Sequence, residues 1–403
     1  MKLSSTEFFS SDCCIVGAGP AGLMLGYLLA RAGLRVVVIE KHPDFLRDFR
    51  GDTIHPSTLE IMHQLGLLDE LLQLPHQRAE KLQAEIAGQE ITMADFSRLP
   101  VTCRFIAFMP QWDFLNFLAD KSAQFAGFTL LKSTSFDDFI FEKGAVCGVR
   151  ATKGTCQMTI RSQVVIGADG RHSAVRAKTG LTSREFGSSR DVLWFRLNKH
   201  DDDPAWGGGH KGPGQKVIMI DRGDYWQCGF SILKGQFTAL QSAGLAALKH
   251  EIALSAPFSV ARMAEITEWD QLRLLSIRID RLDKWMKPGV LCIGDAAHAM
   301  SPIGGVGVNL AIQDAVATAN CVTAPLLKKN LQLHYLEKVQ KRRQFPTVAT
   351  QFLQIKMSSN KGKSKRQSES PLPTIMRYLP FLRFVFGRLI GLGFRTEKPQ
   401  RYN

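Results

Sequence analysis

"DCCIVGAGPAGLMLGYLLARAGLRVVVIE", residues 12–40, reads as strand, glycine turn, helix and strand in immediate succession. Residues 12–16 are a short apolar run, Leu23, Leu28 and Leu29 fall at helical spacing before Gly33, and "RVVVIE" is a continuous β-branched run ending in Glu40. An unbroken apolar strand suits the interior of a parallel sheet, where both faces are covered. Strand, helix and strand within about 30 residues make the crossover unit that builds such a sheet. Each glycine of the turn has a separate task. Gly17 permits the tight bend, Gly19 lets a pyrophosphate approach the backbone, and Gly22 lets helix and strand pack closely, while the helix N-terminus attracts the anion. Glu40, 18 residues after Gly22, is placed to accept hydrogen bonds from a ribose diol.

The glycine pattern by itself decides little. "GGGHKG" (207–212) has the same spacing, but no strand precedes it and "PGQKVIMI" rather than a helix follows, so it is read as a loop. The chain is therefore expected to carry one dinucleotide fold. Further helices are expected over 56–65 and 111–126, and "VVIGAD" (164–169) and "GVLCIGD" (289–295) look like two more buried strands, each ending in a Gly–Asp-type turn. Between about 190 and 280 the pattern changes. "DVLWFRLN", "KVIMIDRGDYWQCGFSI" and "LRLLSIRID" alternate polar and large apolar residues, with a turn at Arg222–Asp224, which predicts a second layer on an antiparallel sheet. Its aromatics Trp194, Phe195, Tyr225, Trp226 and Phe230 can line a pocket or form plain core. Helical pattern dominates after 310.

With 403 residues, 45% hydrophobic and 22% charged, the chain is long enough for two domains and a large core. The net charge of +14 is localised: from Lys328 onward there are 17 Lys and Arg against three Glu, and the preceding residues balance. A nucleic-acid surface is excluded by that distribution, since charge that tracks phosphates should also appear on the folded body. Eight cysteines without a C-x-x-C pair read as buried thiols, with neither disulfides nor a metal site. The polar first eleven residues, and an apolar run at 13–30 broken by "GAGPAG", are unlike a secretory signal, so a cytoplasmic location is expected.

"SSNKGKSKRQSESP" (358–371) reads as a flexible basic linker. "TIMRYLPFLRFVFGRLIGLGF" (374–394) has the length of a membrane span, but Pro380, Arg383 and Arg388 argue against crossing. On an ideal helix Arg377, Arg388 and Arg395 share an edge, which suits peripheral contact of residues 358–395 with an anionic membrane at its inner face; the other reading is a C-terminal helix docked on the body.

Two later stretches carry the chemistry. "IGADGRHSAVR" (166–176) supplies Asp169, Gly170, Ser173 and Arg176, and "GDAAHAMSPIGGVGVN" (294–309) supplies Asp295, Pro302, Gly304, Gly305, Gly307 and Asn309. Together with the first turn, in this order, these motifs resemble the flavin-dependent aromatic hydroxylases, the class A FAD monooxygenases that include para-hydroxybenzoate and ubiquinone-pathway hydroxylases. The resemblance spans roughly residues 10–320. It implies an α/β fold: a Rossmann-like FAD-binding domain, a second domain on a largely antiparallel sheet, and C-terminal helices. The corresponding segments are 1–70, 106–180 and 286–357 for FAD, 71–105 and 181–285 for substrate, and 358–403 for the linker and last helix.

The resemblance further implies that Asp295 binds the ribityl chain and that Gly304–Gly307 lay backbone beside the isoalloxazine. Arg50 and Gln111 would contact FAD, and the Asp169–Gly170 turn would support flavin and the nicotinamide donor. Val306 stands where many relatives have Gln or Lys, so that position carries no inference about substrate. Reduced flavin is anionic near N1, and a helix starting around 306–309 would present N–H groups and partial positive charge to it. His298 tempts as an acid or base, but the chemistry belongs to the cofactor, and no protein catalytic residue or metal is required. The implied reaction uses NAD(P)H and O₂, through a flavin C4a-hydroperoxide, to hydroxylate an aromatic, quinone-like or other apolar small molecule. Alternatives are an FAD-dependent reductase or dehydrogenase of a lipid or isoprenoid, a halogenase, for which no W-x-W-x-x-P stretch is present, and a non-catalytic membrane-surface flavoprotein.

Overall fold

The computed structural model describes residues 6–46, 52–86, 89–203, 208–211, 216–256, 258, 260–359 and 379–401. Its central sheet has the order Met286–Lys287, Val290–Cys292, Val164–Gly167, Cys13–Val16, Val36–Ile39, Phe128–Leu131. All pairings are parallel except that of the two-residue strand 286–287. Both faces are covered, and every residue of Cys13–Val16, Val36–Ile39 and Val164–Gly167 is buried, which is why these strands read as continuous apolar runs. The first crossover helix, Pro20–Arg31, begins on a Pro that fixes its first turn. Strands Thr6–Ser10, Cys156–Arg161, Ala145–Lys153 and Ser135–Glu142 form a smaller sheet.

A seven-stranded sheet lies beyond, in the order Arg273–Leu275, Arg190–Asn198, Tyr225–Leu233, Lys216–Asp221, Gly208–Lys211, Lys81–Ile86, Gln89–Asp95. It is antiparallel except where 208–211 meets 81–86. Two expectations are corrected here. The "GGGHKG" stretch is no loop: Gly208–Lys211 is an inner strand, because ladders on both sides pair its backbone and override its weak strand propensity. "LRLLSIRID" is two strands in different sheets, since Arg273–Leu275 edges the large sheet while Asp280–Leu282 pairs with Ser183–Glu185.

The aromatics of this sheet divide by face. Phe195, Trp226 and Phe230 are buried with Leu240, Leu248 and Ile252 of helices Phe237–Ala243 and Leu245–Ala253, so they are core and line no pocket. Trp194 packs on the opposite face with Val192, Ile277 and Ile279. Strand alternation sorts neighbours 194 and 195 to opposite sides.

Helices Val306–Leu327 and Leu333–Ser359 follow. The first, with its preceding turn, is long and apolar enough to cross a membrane, but 78% of its apolar window is buried against protein, which makes it a core helix. Most of the expected 358–371 linker, and the start of the 374–394 run, lie outside the described residues. What remains of that run is a shorter helix, Leu382–Gly391, whose Phe386 and Ile390 pack on Ala94, Phe96 and Leu99. Phe386 and Ile390 thus face protein, while Leu379, Phe381 and Val385 stay exposed. Arg395 follows the helix at φ +48°, so it cannot share a helical edge with Arg388. The eight cysteines are free thiols, five of them buried, and burial raises that of Cys14 to about 12.

Gly22 is demanded by packing: a Cβ there would lie 1.9 Å from the Gly17 carbonyl oxygen. Gly22→Ala is expected to destabilise the fold by about 1–3 kcal/mol, as overpacking against backbone does. The urea midpoint of the cofactor-free protein measures it.

Candidate functional site

Strand order reverses between Cys13–Val16 and Val164–Gly167, and at such a switch point the loops leaving the carboxyl ends part and open a crevice. Both Gly–containing loops meet there. Gly17, at φ +101°, lies so close to the second loop that a Cβ would stand 2.6 Å from the Ala168 oxygen and 2.7 Å from Asp169 Cα. Gly19 differs: its φ is −75°, and a Cβ would meet only one atom, 4.0 Å away. Neither backbone strain nor packing asks for glycine at 19. Open space at a helix N-terminus is what an approaching pyrophosphate requires. Glu40 closes the turn, its carboxylate accepting from the N–H groups of Ala18 at 3.0 Å and His42 at 3.1 Å.

Residues 290–301 are buried with one exception, Asp295, whose side chain is 32% exposed. Arg171 is 3.7 Å from it, a loose pairing that leaves the carboxylate able to accept from hydroxyl groups. The chain then bends through Gly304 and Gly305, both left-handed at φ +78° and +64°, into the N-terminus of Val306–Leu327. A Cβ on Gly305 would strike Thr53 Oγ1 at 2.3 Å, whereas one on Gly307 would meet nothing within 4 Å. Gly307, like Gly19, leaves an open cradle. No side chain caps this helix start, so its partial positive charge faces outward.

The remaining expected residues are placed as follows. Gln111 opens helix Gln111–Ala123, and its backbone N–H binds the Asp52 carboxylate beside the glycine turn. Asp169 turns inward, accepting from Ser173 Oγ and, at 3.1 Å, from Val175 N–H; burial pushes its carboxyl up against these bonds. Asn309 is a correction to its expected contact with cofactor. Its amide accepts from His55 N–H (2.9 Å) and Thr58 Oγ1 (2.7 Å) and donates to the carbonyls of Thr53 and Gly305, so all four positions are occupied by protein. It ties the helix start to the 53–58 segment. Pro302 is exposed at the lip of the turn, and Arg50 lies outside the described residues.

The FAD binding domain family matches residues 10–352. The chain belongs to that family. It is similar to 6-methylpretetramide 4-monooxygenase of Streptomyces rimosus, at 28% identity over 396 residues, covering 94% of this chain and 92% of that one. Rifampicin monooxygenase of Rhodococcus hoagii is 28% identical over 327 residues, covering 76% and 62%. Against several such relatives the chain spans between about half and two-thirds of their length. Among solved structures, p-nitrophenol 4-monooxygenase from Pseudomonas putida superposes with a TM-score of 0.76 at 18% identity, over 96% of this chain and all of that one. The fold is that of FAD-binding monooxygenases, and the protein is an FAD-dependent oxidoreductase. The residues present suit FAD: Gly19 and Gly307 are glycines that packing does not need and that leave backbone open, and Asp295 is an accessible acid that could accept from hydroxyl groups.

In this flavoprotein the large sheet faces the cradle across linked residues. Asp52 accepts from Gln227 Nε2 on the sheet at 2.6 Å and pairs at 2.7 Å with Arg222, in the turn between two of its strands, while the next residue, Thr53, donates to the Gly305 carbonyl at 3.1 Å. From the other side Gln354 binds Ser301 and Ile303, and Ile355 packs against the Trp194 cluster.

His298, which the sequence reading kept out of the chemistry, and two residues it did not single out, Asp314 and Arg343, hold the 294–309 stretch from behind. His298 is buried, not poised at the cleft: its Nε2 donates to Asp314 at 2.6 Å, and its ring lies 4.9 Å from that of Trp285. Asp314 also accepts from Gly294 N–H at 3.1 Å and Arg343 Nε at 2.9 Å. Burial alone would push the Asp314 carboxyl up; the charges and hydrogen bonds of His298 and Arg343 outweigh it and hold it below 3.8. That stabilisation is present above the ordinary carboxylate range and is lost as pH falls below it. A single acid inside the apolar run "NLAIQDAVATAN" was the available signal, since a buried charge requires a partner.

His55 is fully buried, and burial pushes it down from 6.5 to about 4, although its bond to the Ile390 carbonyl favours the protonated form. Between those values the unfolded chain binds a proton that the folded chain refuses. Stability therefore falls as pH drops through that window, by on the order of 3 kcal/mol. His55→Gln is expected to flatten the difference between urea midpoints at neutral and mildly acidic pH.

Proposed function

We propose that the protein hydroxylates an aromatic or polyketide-like apolar molecule, taking electrons from NAD(P)H and one oxygen atom from O₂. The second oxygen leaves as water, and NAD(P)⁺ is released. The observation that carries this reading is the apolar sheet face of Val192, Trp194, Ile277 and Ile279, linked through Asp52–Thr53 and Gln354–Ile355 to the turn that carries the open Gly307 cradle. These four residues are themselves buried and back the site with apolar side chains, while Gln227 and Arg222 hold Asp52 beside it. The substrates for which 6-methylpretetramide 4-monooxygenase and rifampicin monooxygenase are named are in keeping with it.

Gly17, Gly19, Gly22 and Glu40 are assigned to the adenosine diphosphate end, Asp295 to the polyol, and Gly304, Gly305 and Gly307 to the ring system, with Arg50 and Gln111 beside them. Bound FAD supplies the redox chemistry, accepting a hydride equivalent and delivering an oxygen atom to the substrate. The protein's own contribution is positional and electrostatic. Helix 306–327 directs its N-terminal partial charge at the position of developing anion, and the sheet face excludes water from it.

The test is stoichiometric. Purified yellow protein, NAD(P)H and a panel of phenolic polycycles should consume one O₂ per NAD(P)H and yield a product heavier by one oxygen atom, carrying label from ¹⁸O₂. Substrate reduction that proceeds without O₂ would overturn the reading in favour of a reductase.

A further inference from the structure

The flavin stretch Gly294–Asn309 has two ends, and the last described segment of the chain reaches both. At the first end, Asp314 holds Gly294 N–H and His298, and is itself held by the fully buried Arg343. Arg343 Nη1 donates to the Arg395 carbonyl at 3.2 Å and lies 3.5 Å from the carboxylate of Glu397. Glu397 is 3% exposed. It also accepts from Arg342 at 2.6 Å, and its backbone N–H donates to Gln313, the neighbour of Asp314. A carboxylate this buried, far along the chain from the domain it completes, is tolerated because two guanidinium groups, those of Arg342 and Arg343, meet it.

At the second end, helix Leu382–Gly391 sits so closely that a Cβ on Gly387 would lie 2.0 Å from the Asp95 carbonyl and one on Gly391 3.2 Å from Pro56. That seat sets the Ile390 carbonyl 2.8 Å from His55 Nδ1. His55 in turn donates its backbone N–H to Asn309, and its Nε2, buried without a hydrogen-bond partner, lies 3.3 Å from where a Gly305 Cβ would stand.

We propose that segment Leu382–Glu397 is a strap that positions the flavin stretch from both ends, through His55 at Gly305 and through Arg343 and Asp314 at Gly294, so that retention of FAD depends on it. The proposal rests on the assignment of residues 294–309 to the flavin. His55, Asp314 and Glu397 are positioning residues: none faces the open cradle, and each acts through the backbone it holds. By linkage the coupling is reciprocal, so cofactor must tighten the strap as much as the strap favours cofactor.

The wild-type holoenzyme tests this without substitution. Amide hydrogen exchange over 382–397 should slow about tenfold when FAD is added to stripped protein; no change there would overturn the proposal. Two variants sharpen it, Glu397→Ala and His55→Phe, the latter keeping the ring and losing both nitrogens. Measured at low temperature where circular dichroism shows each folded, each should raise the FAD dissociation constant about tenfold, and Glu397→Asp should recover part of the loss. A lowered melting temperature with unchanged dissociation constant would show a strap that only stabilises the fold, and would overturn the proposal. Val385→Ser, on the exposed side of the same helix, is the control and should leave affinity unaltered. If Asp295→Ala also retains FAD, the flavin assignment itself has failed; if Asp295→Ala loses FAD and the strap variants do not, the strap has failed.

Discussion

Asp295→Ala is expected to release FAD, raising its dissociation constant about 10- to 100-fold, while the apoprotein melts within a degree or two of the wild type. The size follows from removing hydrogen bonds made by an ionised acceptor, at about 1.5–3 kcal/mol for such bonds, with each 1.4 kcal/mol worth a factor of ten. The small effect on folding follows from what surrounds it. Asp295 holds no backbone group, its one charged neighbour is a loosely placed Arg171 at 3.7 Å, and its side chain is a third exposed, so a surface change of this kind leaves stability nearly intact. Fluorescence titration of stripped protein with FAD reads the affinity. Wild-type affinity in the variant would refute the assignment of this acid to the polyol. Asp314→Asn, in contrast, should reduce stability, because it weakens a buried charge that three donors share.

Gly307→Leu should separate fold from function more sharply, because its two effects have opposite signs. Position 307 lies in the first turn of helix 306–327, at a φ any residue adopts, and a Cβ there touches nothing within 4 Å. Leucine has the higher helix propensity, so the cofactor-free protein should gain about 0.5–1 kcal/mol. The same side chain fills the cradle. Overpacking by a bulky group costs about 1–3 kcal/mol, so FAD affinity should drop roughly 10- to 100-fold. A raised melting temperature together with colourless protein is the expected pair of results; unchanged yellow colour would mean that the ring system lies elsewhere. Gly305→Leu should fail differently, by disrupting folding, since its Cβ would strike Thr53 at 2.3 Å and its φ is positive.

These two glycines also show where pattern reading stops. Both stand in one quoted stretch, and nothing in the letters distinguishes the residue that folding requires from the one that packing leaves open. The strand–turn–helix unit was legible because its physics is local: hydrophobic period, turn chemistry and a helix start all lie within residues 12–40. The two-sheet architecture was legible for the same reason, from a change of period near residue 190.

Failures arose where the partner was distant. Strand 208–211 has the composition of a loop and is a strand because two other strands bracket it. Asn309 looked like a cofactor ligand until His55, Thr58 and Thr53, some 250 positions earlier, were found to occupy its amide. That Phe386 and Ile390 of the apolar C-terminal run pack on Ala94, Phe96 and Leu99 was one of two open readings, because that surface comes from nearly 300 residues upstream.

The sequence by itself determined that a strand–glycine turn–helix unit, an acid at the end of the following strand and a bare glycine-rich stretch exist in this chain, since each depends on residues close together. Only the tertiary structure decided that Gly17 and Gly22 serve packing while Gly19 and Gly307 leave room, that His298 belongs to a buried ion network, and that the last helix reaches back through His55 to the 305–309 turn. Steric fit and charge pairing between distant segments are properties of distance in space, and a one-dimensional pattern contains no distances of that kind.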